Sequence, residues 1–289
     1  MHTLPRGRLM GSVAIVFGAT LFLGGALVAK APAQSAADDT LKMSYTIYVG
    51  GTKVYKINYR TTLAADRYSS RLSMGPKGLG KVFSDYELDM TVTGALGDGE
   101  VEPQAFSLEA SDEGEEKTVE MTWSGTALPD VQRSFEVADV REKILEKALS
   151  PSTPDPLTAA LHHGLSSTEP CAGTERAYNG SEVYDLRFEL IGKEMLRGKK
   201  ADAFKGEVFK CKVVWAPIAG YSERKMKRYS KKLPTYTVWF APVDAPVTGR
   251  RMFVPVGAEG EASGRNFTAV ASEATLSGEP LIRRVASGN

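Results

Sequence analysis

Tyr45-Thr46-Ile47-Tyr48-Val49, then Gly50-Gly51-Thr52, then Val54-Tyr55-Lys56-Ile57-Asn58-Tyr59: this opening of the ordered-looking chain decides the fold class. Apolar or aromatic side chains alternate with polar ones on both sides of a glycine turn, which is the signature of a β-hairpin with one face buried. The same period of two returns at Arg67–Met74, Phe83–Thr93, Gln104–Ala110, Lys117–Trp123, Glu182–Ile191, Ala203–Trp215, Thr235–Ala241, Arg250–Val256 and Asn266–Leu276. Turn residues separate many of these runs: Gly97-Asp98-Gly99, Asp112-Glu113-Gly114, Asn179-Gly180 and Gly257–Gly260. Alternation at such intervals predicts an all-β protein built on one large, curved antiparallel sheet, an open barrel or spiral.

One section breaks the pattern. Val140–Leu149 has helical spacing and stops at Ser150-Pro151, and Asp155-Pro156-Leu157 opens a second helix with Asp155 as its N-cap. Together they predict a helical insert at about 139–163. A weaker third candidate is Ser222–Lys232.

The first 33 residues have the composition of a secretory signal: Arg6 and Arg8, an apolar run from Leu9 to Ala29, and Ala31-Pro32-Ala33 as a cleavage site. The run is also long enough to serve as an uncleaved inner-membrane anchor over 9–29. Behind it the sequence suggests a flexible linker at 34–41, a periplasmic β-rich part at 42–278, one large domain or two smaller ones, and a C-terminal tail at 279–289. Losing residues 1–33 leaves 33 basic against 35 acidic residues, a formal net charge near −2. Such a chain has no electrostatic basis for binding nucleic acid.

Cys171 and Cys211 are the whole cysteine complement. An even pair in an exported chain reads most simply as a disulfide, the alternative being two buried thiols. Neither has a histidine or third cysteine at ligand spacing, so neither a metal nor a cofactor is expected.

The chain resembles the domain-of-unknown-function family 3108, exported proteins of Gram-negative bacteria. The features that carry the resemblance are the strand pair Tyr45–Tyr59 with its glycines, Phe83-Ser84-Asp85-Tyr86-Glu87-Leu88, Asp155-Pro156-Leu157 and Pro170-Cys171. Tyr178–Leu186, Cys211 and Trp239-Phe240-Ala241-Pro242 complete them. The resemblance spans roughly 42–277. It implies a periplasmic, mostly antiparallel β architecture, similar to the curved half-barrels of envelope lipid carriers. It implies no established activity and transfers no catalytic residue.

Candidate chemistry is sparse. Gly75-Pro76-Lys77-Gly78-Leu79-Gly80-Lys81 has the glycines and lysine of a phosphate loop, but Val82 stands where a magnesium-holding hydroxyl belongs and a strand appears to follow, so no nucleotide is expected. His162-His163 falls where the second helix ends, suiting a capping and surface role. A catalytic role would need a carboxylate or serine brought in from elsewhere. Glu113, Glu115 and Glu116 read as a solvated turn, and Asp85 with Glu87 as the wet face of a strand. The most distinctive surface feature is Arg224, Lys225, Lys227, Arg228, Lys231 and Lys232. This run suits anionic headgroups or an acidic partner, or is simply a solvated face. No catalytic residue is assigned. The expected function is a non-enzymatic envelope protein binding an apolar or anionic envelope ligand such as a lipid, or a partner protein. The rival classes are a periplasmic hydrolase acting on an envelope polymer and a structural module without a pocket. An inward apolar cavity favours the first, a cleft holding His162 or His163 near a serine or carboxylate the second.

Overall fold

A computed structural model describes residues 38–97, 100–166, 168–197, 204–262 and 264–282. The signal segment 1–33, and with it the candidate anchor 9–29, lies outside them. Among the described residues no helix is long and apolar enough to cross a membrane.

Fourteen strands form a single antiparallel sheet. The first run comprises β1 (Asp39–Val49), β2 (Thr52–Leu63), β3 (Arg67–Pro76), β4 (Glu87–Leu96), β5 (Val101–Asp112), β6 (Glu115–Thr122) and β7 (Asp130–Arg133). The second comprises β8 (Thr174–Tyr178), β9 (Val183–Leu196), β10 (Gly206–Ala219), β11 (Thr235–Asp244), β12 (Arg251–Ala262), β13 (Arg265–Leu276) and the two-residue β14 (Glu279–Pro280). The spatial order is β7-β6-β5-β4-β3-β2-β1-β13-β12-β11-β10-β9-β8, with β14 on β13. The chain therefore starts at the centre, meanders to one edge, crosses to the other through helices, and meanders back to lie beside its own first strand.

The register explains the core. Met43, Tyr59, Leu72, Met90, Leu108 and Val119 form one cross-strand row, and Leu41, Thr61, Ser70, Val92, Phe106 and Met121 form the next. Alternation puts both rows on one face, and most of their members are fully buried. Full burial of each large apolar side chain contributes roughly 1.5–3 kcal/mol.

Four helices interrupt the strands: α1 (Gly80–Phe83), α2 (Asp139–Ala148), α3 (Pro156–Ser166) and α4 (Glu223–Tyr229). α3 touches β3, β4 and β5 from one half of the sheet and β8 and β12 from the other, so it lies across the inside of the curve. Asp155 starts it as expected, accepting from the amides of Leu157 (2.8 Å) and Thr158 (3.0 Å) and from the Thr158 hydroxyl. That hydroxyl in turn accepts from Tyr68 at 2.5 Å. Burial pushes the Asp155 carboxyl up to about 6 in spite of these donors. Gly164 lets the helix approach β12, since a Cβ there would stand 2.9 Å from the Phe253 carbonyl oxygen.

The ladder is interrupted in two places. Among the described residues β7 and β8 share no ladder pair, so the sheet does not close into a barrel. The second break lies between β12 and β13, which pair only over Gly257–Ala262 and Arg265–Val270. Beyond that, β12 follows β11, β13 follows β1, and the two diverge.

Several expectations are corrected. β1 begins at Asp39, inside the stretch read as linker, because the Asp39 carboxylate is itself buried and hydrogen-bonded. The tail begins with β14 and a buried Ile282, whose neighbour Leu281 donates its amide to Ala274 (2.9 Å). Gly257–Gly260 is not a turn but part of β12. Gly257 sits at a bulge opposite Trp239, and a Cβ on Gly260 would meet the Tyr236 ring at 2.6 Å. The segment after the phosphate-like loop opens with the helical turn α1 before β4, and the edge strands β7 and β8 escape the alternation pattern altogether.

Candidate functional site: an apolar cavity beside the split

Where β12 leaves β13 the structure encloses a cavity of about 270 Å³. β1 and β2 supply Met43, Tyr45, Ile57 and Tyr59, α3 supplies Leu161 and Leu165, and β12 and β13 supply Val254, Ala258 and Ala269. Almost every lining group is apolar. The phenol of Tyr45 crosses the split and donates to the Pro255 carbonyl at 2.6 Å. Burial pushes the hydroxyls of Tyr45 and Tyr59 up, so both stay protonated. A larger groove of about 640 Å³ over β2–β6 is lined by Lys56, Glu87, Asp89, Glu109 and Lys117. Charges of both signs mark it as solvated surface, so the smaller apolar cavity is the better ligand site.

The far end of the split is clasped by Asp39. Its carboxylate accepts from the amides of Val247 (3.1 Å) and Thr248 (2.7 Å), and from the hydroxyls of Thr248 (2.8 Å) and Ser277 (2.9 Å). Burial alone would raise its pKa, but the four donors outweigh burial and hold it below the usual carboxylate value. The start of β1 is thereby tied to the β11–β12 turn.

A second cluster sits at the end of α3. His162 Nδ1 lies 3.0 Å from one oxygen of Glu175, and His163 Nδ1 lies 3.5 Å from the other. His163 is 3 % exposed, stacks on Phe188 with ring centroids 3.6 Å apart, and places Nε2 2.8 Å from the Pro170 carbonyl. A carbonyl only accepts, so Nε2 carries a hydrogen. Burial would raise Glu175, yet the hydrogen bonds and charges of the two imidazoles hold it at about 2. The same hydrogen bond raises the pKa of His162. The surface role expected for this pair is therefore corrected for His163. The partner was Glu175 on β8, a strand too short and polar to be recognised.

The family model described as "Protein of unknown function (DUF3108)" matches residues 44–262, well over half of the chain. The chain belongs to the DUF3108 family. The match takes in the cavity except for Leu41, Met43 and Ala269. No curated protein matches. Among solved structures, the chain is similar to a beta-barrel-like protein of domain-of-unknown-function family DUF1849 from Brucella abortus, at 9 % identity and a TM-score of 0.41. The alignment covers 83 % of this chain and 98 % of that one.

The remaining expected residues of this DUF3108 chain fall elsewhere. Cys171 and Cys211 are joined, with Cα atoms 5.0 Å apart, and anchor a second apolar cluster with Val213, Phe240 and Phe253. Arg224, Lys225, Lys227 and Arg228 are carried by α4, with Lys231 and Lys232 just beyond it. α4 sits in the β10–β11 connection, at the opposite end of the strands from the β11–β12 turn. Lys225 pairs with Glu182 (2.7 Å) and Lys232 with Glu261 (3.0 Å), and the Arg228 guanidinium lies 5.0 Å from the Tyr229 ring. The basic run and the cavity are not brought together. Among the described residues no group of three or more His, Cys, Asp or Glu side chains is placed to hold a metal ion.

Proposed function

We propose that this DUF3108 protein is an exported, non-enzymatic envelope protein that holds the apolar part of a ligand between the two halves of its sheet. The observation that carries the reading is the cavity: about 270 Å³, walled by aliphatic and aromatic side chains from β1, β2, α3, β12 and β13, at a break in the ladder. Apolar concavities with a few convergent polar groups are the usual form of small-molecule sites. Support for export comes from the composition of residues 1–33 and from the paired cysteines, which suit an oxidising compartment.

Two measurements test it. Native mass spectrometry and solvent extraction of protein purified from its own cells should show a co-purifying apolar molecule. Emptied protein should take up decanol, an uncharged alkyl probe, at one site per chain. Protein that carries nothing and ignores decanol would remove the basis of the reading.

A second reading has one observation behind it. Glu175 holds His162 as a carboxylate orients a general base, which suits a hydrolase acting on an envelope polymer. On that reading His162→Ala abolishes release of fragments from purified envelope polymer and leaves decanol uptake intact. Wild-type protein inert on such polymers decides against it.

A further inference from the structure

A groove of about 590 Å³ adjoins the apolar cavity, and the two share Leu165 and Phe253 as lining. The groove differs from the cavity in one respect: its rim carries Arg250 and Arg251, with Glu100 as the acidic residue in its lining. One of Arg250's five N–H donors goes to the Gly97 carbonyl at 3.1 Å. Arg251 meets Asp244 only at 3.9 Å, with both side chains well exposed, a contact worth little in water.

The arginines are also held in place. Arg250 ends a turn in which Ala245 donates to the Arg250 carbonyl (2.8 Å) and Gly249 to Ala245 (2.9 Å). Asp39 grips the same turn at Val247 and Thr248. A guanidinium pair fixed by a buried carboxylate presents a pre-organised, planar donor array to an anionic group. Directly behind it lies an apolar hollow. The hollow is just below the ~300–1,000 Å³ of ordinary small-molecule pockets, so it has room for one alkyl chain and not for two.

We infer that the ligand is an anionic single-chain amphiphile, with its alkyl chain in the cavity past Leu165 and Phe253 and its acidic head at Arg250 and Arg251. The inference rests on the cavity being a ligand site. Two sources share this chemistry: a fatty acid, with a carboxylate head, and a phosphate-headed single-chain lipid.

Calorimetric titration with decanol, decanoate and decyl phosphate separates the possibilities, using wild-type protein and the Arg250→Gln/Arg251→Gln double variant. Both substitutions lie on an exposed turn and keep the side chains' polarity. The two anions should bind wild-type protein at least tenfold more tightly than decanol, since a hydrogen bond to a charged group contributes about 1.5–3 kcal/mol. The advantage should shrink in high salt and vanish in the double variant, while decanol binding stays unchanged. A stronger advantage for decyl phosphate assigns the phosphate-headed source, and one for decanoate assigns the fatty acid. Equal affinity for all three probes, or an anion preference that survives loss of both arginines, overturns the inference while leaving the cavity reading standing. Failure of all three probes to bind overturns the cavity reading itself.

Discussion

The sheet is broken twice, and the two breaks are treated in opposite ways. Between β7 and β8 the gap is spanned by polar side chains. Arg133 donates to the Gly180 carbonyl, to the Tyr178 hydroxyl at 2.8 Å and to both oxygens of Glu142 at 3.1 and 3.2 Å. Tyr178 also donates to Gly180 at 3.0 Å. Between β12 and β13 the gap is lined by apolar groups, crossed by one phenol, and left hollow. Directional bonds close the first break as a ladder would. The second is held open at one end by the Asp39 clasp and at the other by the β12–β13 hairpin, and nothing polar fills it. A seam stitched by charge serves stability, and one walled with hydrocarbon costs stability unless something occupies it.

That contrast can be broken by substitution. Arg133→Ala should destabilise the protein by about 3 kcal/mol, because it strips donors from Gly180 and leaves the Glu142 carboxylate unpaired beside a buried phenol. Chemical denaturation measures it, and a loss under 1 kcal/mol would mean that the β7–β8 seam is held by packing alone.

Glu175→Gln acts on a different bond, the one tying α3 to β8, and is read through pH. A carboxylate held at about 2 contributes stability that is complete above its ordinary value of 4.5 and lost as pH falls toward 2. His162 is raised, so its contribution is complete below 6.5 and lost as pH climbs through its higher folded-state value. Stability measured from pH 2 to 9 should therefore be flatter at both ends in Glu175→Gln. An unchanged profile would show that Glu175 and His162 are not coupled.

Ala269→Ile has the smallest effect and the opposite sign to Arg133→Ala. Filling the hollow beside Ala258 should raise stability by up to about 1 kcal/mol and weaken decanol uptake. A variant that is destabilised and binds decanol normally would place the ligand elsewhere.

Much of this was legible in the sequence, for physical reasons. Tyr45–Tyr59 alternates because one face of its hairpin is core, and the long central strands share that property. β7 (Asp130–Arg133) and β8 (Thr174–Tyr178) have four and five residues, mostly polar and bounded by Pro129 and Gly173, too few to display a period. The cysteine pair was readable from number and compartment. Gly257–Gly260 misleads because glycine marks a bulge and a close ring contact as readily as a turn. The candidate site was the least legible part. Its walls come from positions more than 200 residues apart, and its arginines lie in a turn with no motif. By contrast, the conspicuous basic run on α4 lies at the other end of the strands.

The strand order has a consequence for how the molecule comes into being. Leu41 pairs with Leu276, so the first strand waits for the last. Contacts of such sequence separation carry a large loop-closure cost and slow the search. Half of the chain can curl locally, hairpin by hairpin, but no partial length of it owns the hollow. The compartment for a guest is made only when the final long strand slots in beside the first, and an empty or cargo-bearing state can be chosen only from that moment on.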